Sequence, residues 1–343
     1  MRRSRACVWP LKIRRLQHSK LPILVGPFYG EVGFEILYWI PWLHKIQQMY
    51  GLDAPRLIPI TRGGAAVWYG WPKALELYAM RSTADVRIAN KLSAMRTGMI
   101  KQQRWTPFDR GIIADAATTL GLGPTDYHTL HPHWMYHALT PFWATDRGLS
   151  WLDPRTRYGP IPVSPIPDTV ALPKDYVAMS FYARATLRDD PQVRSLIAAI
   201  LTTVSAHVPV VVLDGSGHAD DHWDLWPKEL PANVHRLSAI WPTTTETTLS
   251  QKSAVMARAR GFVGTYGGIC QLAARLGRPT VGFYQQWGGT SQAHRHLSQA
   301  LALAMQTPFL VLPMSDLLMI NQVVPHVVLT PIAKGLDDLP QSA

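Results

Sequence analysis

Phe262-Val-Gly-Thr-Tyr-Gly-Gly-Ile-Cys-Gln-Leu-Ala-Ala-Arg-Leu-Gly-Arg-Pro-Thr-Val-Gly-Phe-Tyr, residues 262–284, decides the fold class. The run Gly261–Thr265 is short and apolar, as strands buried on both faces of a sheet are. Ile269, Leu272, Ala273 and Leu276 then recur at helical spacing, and Gly277 closes the helix. Thr280-Val-Gly-Phe-Tyr is a second apolar strand. Strand, helix and strand in immediate succession predict a parallel crossover unit.

The alternation extends outward. Tyr176–Phe181 and Val208–Leu213 read as strands. Between them Pro191 suits a first helical position, with Asp189 or Asp190 as cap. Val193, Leu196, Ile197, Ile200, Leu201 and Val204 follow at helical spacing, and Leu249–Ala259 and Ser291–Met305 read as helices. Nearer the N-terminus, Leu21–Phe28 reads as a buried strand, Tyr29-Gly-Glu-Val-Gly as a turn, and Phe34, Leu37, Trp42, Leu43 and Ile46 as one helix face. Pro41 predicts a kink or break there. Arg56–Thr61 is a further strand, with helical patterns near Ala74–Met80, Val86–Met95 and Arg110–Leu120.

Six prolines (154, 160, 162, 165, 167 and 173) crowd between Trp151 and Lys174 and favour extended backbone. The expected organisation is a basic tail (1–20), a Rossmann-like domain (21–150), a proline-rich linker (151–174) and a second Rossmann-like domain (175–343). The fold class is α/β, with two parallel sheets covered by helices and facing a central cleft.

With 343 residues, 47% hydrophobic and 17% charged, the chain can build two packed cores and is not a disordered polymer. Its formal charge of +11 fits nucleic acid, an anionic membrane or a phosphate-bearing substrate. No zinc-finger spacing, aromatic RNA-binding signature or basic zipper accompanies it. Arg2, Arg3, Arg5, Lys12, Arg14, Arg15 and Lys20 concentrate charge in Met1–Lys20, read mainly as a solvated tail, alternatively as a contact with anionic head groups. No run of about 18 apolar residues occurs. Two cysteines, Cys7 and Cys270, suit a reducing cytoplasm.

Ligands of parallel sheets bind beyond the carboxyl ends of the strands, so the loops there hold the site candidates. Thr265-Tyr-Gly-Gly opens a helix. Gly267 and Gly268 either let a diphosphate approach the free N–H groups or make a tight turn only. Arg184 and Arg188 could grip phosphate, or pair with Asp189 and Asp190. In Gly30-Glu-Val-Gly-Phe-Glu, Glu31 and Glu35 are candidate bases, against a helix-start carboxylate for Glu31 and internal pairing for Glu35. Gly30, Gly33, Asp214 and Asp220 are further cleft candidates. His128, His131, His133 and His137 lack the metalloprotease pattern and read as packing or acceptor-side surface, so no metal site is expected.

The segment 262–284 resembles the donor site of bacterial GT-B glycosyltransferases, the heptosyltransferase family in particular. Gly30-Glu-Val-Gly-Phe-Glu-Ile-Leu-Tyr-Trp-Ile-Pro looks like that family's glycine–acid turn and proline-containing helix. The resemblance implies a metal-independent, inverting transfer of a sugar from a nucleotide-sugar donor to a glycan or lipid-linked acceptor in cell-surface polysaccharide synthesis. It requires no further cofactor. It makes Glu31 the base, although the family has Asp there. It assigns Arg184 or Arg188, with Thr265, Tyr266, Gly267 and Gly268, to the donor. A nucleotide-sugar epimerase and a nucleic-acid or membrane-surface binding protein are the alternatives.

Overall fold

The computed structural model describes residues 13, 15–97, 102–145, 147–184, 186–215, 223–287, 291–315 and 317–329. Two parallel sheets organise it. The first contains β1 (Ile23–Val25), β2 (Leu57–Thr61), β3 (Leu75–Glu76) and β4 (His128–Leu130) in the order β3-β2-β1-β4. Its helices are α1 (Val32–Phe34), α2 (Ile40–Tyr50), α3 (Leu77–Met80), α4 (Thr83–Thr97), α5 (Pro107–Thr119) and α6 (Pro132–Ala144).

The second sheet contains β5 (Val177–Ser180), β7 (Val210–Val212), β9 (Val234–Arg236), β10 (Gly261–Thr265), β11 (Thr280–Tyr284) and β12 (Phe309–Pro313), ordered β12-β11-β10-β5-β7-β9. β6 (Tyr182–Ala183) and β8 (Trp223–Asp224) form a small antiparallel pair. α7 (Pro191–Ser205), α8 (Leu237–Ile240), α9 (Thr248–Arg258), α10 (Gly268–Arg275), α11 (Ser291–Ala304) and α12 (Leu317–Leu329) complete this half. The α/β class and the parallel sheets are those expected. Ala74–Met80 begins as strand β3, and β4, β6, β8, β9, β12, α6, α8 and α12 do not figure among the elements read from the sequence.

Asp190 caps α7, accepting from Val193 N at 2.8 Å ahead of Pro191. Thr106 and Asp109 form a reciprocal capping box on α5. Between α1 and α2 the chain makes a π-helical turn, Glu35–Trp39, so the irregularity falls just ahead of Pro41 rather than at it. Pro41 has no N–H for the Leu37 carbonyl. Tyr158 of the linker donates its hydroxyl there at 2.9 Å, and Arg157 N donates to Pro41 O at 2.8 Å.

Of the basic N-terminal stretch, residues 15–18 are helical. Ile13 and Leu16 are buried against the first half, so this part is not a solvated tail.

One apolar cluster runs through both halves, joining Leu37, Trp39 and Trp42 to Phe262, Leu272 and Leu297. His294 of α11 lies in this seam, edge-on to Phe34 with ring centroids 4.7 Å apart. Burial pushes its imidazole down from 6.5 to about 3. The folded pKa is depressed, so the stability of the neutral ring is complete above about pH 6.5 and is lost as pH falls toward 3. The expected slope is about 1.4 kcal/mol per pH unit, or about 2 kcal/mol between pH 6.5 and 5. Urea unfolding of His294→Leu should lack this loss. Identical pH dependence in both proteins would disprove it. Glu76, which burial raises to about 7, acts with the opposite sign, stabilising most below 4.5.

Candidate active site

The turn after β1 is built by buried charge. Glu35 is fully buried in the π-helical turn and accepts from Arg62 Nη1 at 2.5 Å, Thr61 Oγ1 at 2.7 Å and the Tyr69 hydroxyl at 2.7 Å. Arg62, 2% exposed, also donates to the Gly30 carbonyl at 2.5 Å. Gln102 accepts from Tyr29 N at 3.0 Å and donates to Pro27 O at 2.5 Å. The backbone on both sides of Glu31 is thereby fixed. With its carboxylate engaged three ways, Glu35 takes the internal pairing and braces the turn.

Glu31 points the other way. It stands at the N-cap of α1, yet its side chain makes no cap hydrogen bond. It reaches the other half of the molecule and pairs with Arg184, Nη2 to Oε1 2.8 Å, with the two side chains 31% and 49% exposed for Arg and Glu. Glu31 also lies close enough to Tyr136 that its charge adds to burial in raising that hydroxyl's pKa.

Behind this pair the two backbones touch. A Cβ on Gly268 would lie 2.8 Å from Gly33 N and 2.8 Å from Val32 Cβ, and one on Gly33 would collide with Gln271 Oε1. Gly268 therefore needs glycine for space, not for dihedral angle, whereas a side chain at Gly33 would have to displace the end of Gln271. Gly267 likewise leaves room for the Tyr182 hydroxyl. α10 starts there, and its first N–H groups have no partner within the helix.

Thr265 has a structural task. Its hydroxyl accepts from Tyr182 N and donates to Tyr182 O, each at 3.0 Å. Tyr266 is 1% exposed and packs edge-on to Trp287 at 5.6 Å. Arg188 turns to the loop after β11: its Nη2 donates to Gln286 Oε1 at 2.9 Å, and its backbone N to Gln285 Oε1 at 2.7 Å. Neither arginine takes the pairing expected of a solvated loop, since Asp189 pairs with Arg194 at 2.6 Å and Asp190 caps α7.

Asp214 is buried and accepts from Ser238 N at 2.9 Å and Ser238 Oγ at 2.8 Å, holding the start of α8. Asp220 lies outside the described residues, as does Cys7. Cys270 is buried, which pushes its thiol pKa up and leaves it un-ionised. Of the histidines, His131 is buried 3.5 Å from Asp109 and its Nδ1 lies 3.0 Å from that of His133. Burial raises the Asp109 pKa, but His131, Thr106 and Tyr29 together hold its carboxyl below the usual range. Among the described residues no three His, Cys, Asp or Glu side chains are grouped to hold a metal ion.

The structure thus brings Glu31 against Arg184 and Gly33 against Gly268, with Gly30 and Gly267 next to them in the chain. Arg62, Gln102, Tyr136, Gln271, Gln285 and Gln286 had not been singled out. The only sequence signal for Arg62 was a lone cation after a strand.

In class, the molecule is a two-sheet parallel α/β protein whose candidate site lies where strand-end turns of both sheets meet. No family model matches the chain, and no curated protein matches it. Among solved structures it is similar to Escherichia coli heptosyltransferase WaaC with ADP, at 14% identity over 89% of this chain and 99% of that one, TM-score 0.42. It is similar to E. coli ADP-heptose lps heptosyltransferase II, at 13% identity over 84% and 100%, TM-score 0.45. A third is the glycosyl transferase family 9 protein from Veillonella parvula, at 13% identity over 85% and 90%, TM-score 0.41.

Proposed function

We propose that the chain transfers a glycosyl group from a nucleotide-sugar donor to a hydroxyl of a glycan or lipid-linked acceptor, at the cytoplasmic side of cell-surface polysaccharide synthesis. The Glu31–Arg184 pair carries this reading. It joins a carboxylate on one sheet's first turn to a cation on the other sheet's first turn, beside the free N–H groups of α10. In this reading residues 21–150 serve the acceptor, residues 175–343 the donor, and 151–174 link them.

Glu31 takes the proton of the acceptor hydroxyl. The oxygen attacks the anomeric carbon in line and inverts it, and the bond to the diphosphate breaks. Charge on the departing nucleoside diphosphate is received by the start of α10 and by Arg184 or Arg188, with no metal or cofactor needed. The donor's diphosphate draws Arg184 off Glu31 and leaves the carboxylate free to act.

A thermal-shift panel of UDP, GDP, ADP, CMP and dTDP sugars tests the donor class. A true donor at about 100 times its dissociation constant should stabilise the fold by about 2.7 kcal/mol. No stabilisation by any member would reject the reading. Calorimetry should find donor binding weakened by about 1.5–3 kcal/mol in Arg184→Ala or Arg188→Ala, whichever holds the diphosphate. Unchanged affinity in both single variants would remove the arginines from the donor site.

A further inference from the structure

Helix α4 (Thr83–Thr97) turns three large apolar side chains outward. Val86 is the one buried residue among those of the helix whose burial is described. Ile88, Leu92 and Met95 are 55%, 45% and 74% exposed. At about 100° per residue these three fall within about 60° of arc, roughly 150° from Val86. The next arc carries Arg87 and Lys91, both exposed. The single acid of the helix, Asp85, flanks the arc on its other side in the first turn, where it accepts from Ser82 Oγ at 2.7 Å. A helix of a globular protein ordinarily turns its apolar stripe to the core.

We propose that this face of α4 docks on an anionic lipid bilayer, with Ile88, Leu92 and Met95 entering the head-group boundary and Arg87 and Lys91 meeting lipid phosphates. An in-plane helix binds in this way, by apolar insertion joined to cationic attraction. The exposed apolar area, on the order of 300 Å², falls short of the roughly 800 Å² per partner that a stable dimer needs. A second copy would also bring the same cations and the same net charge of +11. The position suits an acceptor held in a membrane. Gln102, which fixes the Tyr29 backbone beside Glu31, follows Thr97 by a stretch of chain that spans at most about 18 Å. The docking itself does not rest on the transferase reading.

Co-sedimentation of the full chain with vesicles, without donor or acceptor, tests it. Phosphatidylcholine vesicles with about a third phosphatidylglycerol should bind the protein, and pure phosphatidylcholine should bind it far less. Arg87→Gln with Lys91→Gln should weaken binding by roughly 5-fold per cation. Ile88→Ser, Leu92→Ser and Met95→Ser together should weaken it tenfold or more. Because all five side chains are exposed, melting temperatures should hold in both variants. Absence of binding to anionic vesicles overturns the proposal. So does wild-type binding by both variants, which would move the contact to the basic N-terminal stretch. A dimer in sedimentation velocity that the serine variant abolishes would assign the face to a second copy instead.

Discussion

Glu31→Gln is expected to lower turnover by about 10²- to 10⁴-fold, because a positioned base contributes that much to the rate, while donor affinity holds or rises by at most about 5-fold as Arg184 is released. The side chain keeps its size and loses its proton-accepting charge. It also loses the ion pair with Arg184, but that pair is partly exposed and contributes about 0–1 kcal/mol. Melting temperature should therefore stay nearly constant as kcat falls, with both measured on one preparation. The structure sharpens this test, since Glu31 makes no cap hydrogen bond whose loss could unfold α1. Turnover close to wild type would take the proton transfer away from this turn, because Glu35 is committed to Arg62, Thr61 and Tyr69.

Arg62→Met is expected to destabilise the fold by about 3–5 kcal/mol, since it strands the buried Glu35 carboxylate without its cation. Arg62 and Glu35 are 2% and 0% exposed, so water cannot replace the lost partner. The double variant Arg62→Met with Glu35→Leu should recover much of the loss, although Thr61 and Tyr69 then lack their acceptor. Urea unfolding measures all three proteins. A single-variant loss under about 1 kcal/mol would show that the pair does not hold the turn. At temperatures where Arg62→Met stays folded, turnover should still fall, because the Gly30 carbonyl next to Glu31 is no longer anchored.

The second sheet was legible because β5, β7, β10 and β11 are interior strands, whose burial on both faces writes continuous apolar runs into the sequence. β9 was hidden by its edge position, its three residues and its polar His235 and Arg236. β12 carried a signal, the apolar run 309–312 between Pro308 and Pro313, which suits an edge strand. β4 and α6 escaped because the cap of α6 is His131 rather than a usual capping residue, and Pro141 lies inside the helix. The π-helical turn has no signature in residue spacing. At the site, Glu31, Arg184, Gly267 and Gly268 stood out one by one from strand-end position. That Glu31 meets Arg184 is a contact over 153 residues of chain, which no local pattern encodes. The supports, Arg62 and Gln102, are fixed by tertiary hydrogen bonds alone.

Among the described residues, hydrogen bonds between the halves include three groups, and their arrangement constrains motion. At the linker, residues 157–159 hold Pro41 O, Leu37 O and the Arg275 guanidinium at 2.8, 2.9 and 2.8 Å. On α9, Leu249 N and Ser250 N donate to Gly63 O at 2.8 and 3.0 Å, and Ser253 Oγ accepts from Trp68 at 3.1 Å. The third is Glu31–Arg184. Two fixed points define an axis of rotation. A movement that keeps the linker and α9 bonds turns one sheet against the other about the line through them. Such a turn parts Glu31 from Arg184, a pair of partly exposed side chains, only if the Gly33–Gly268 contact and the apolar seam beside it also slide.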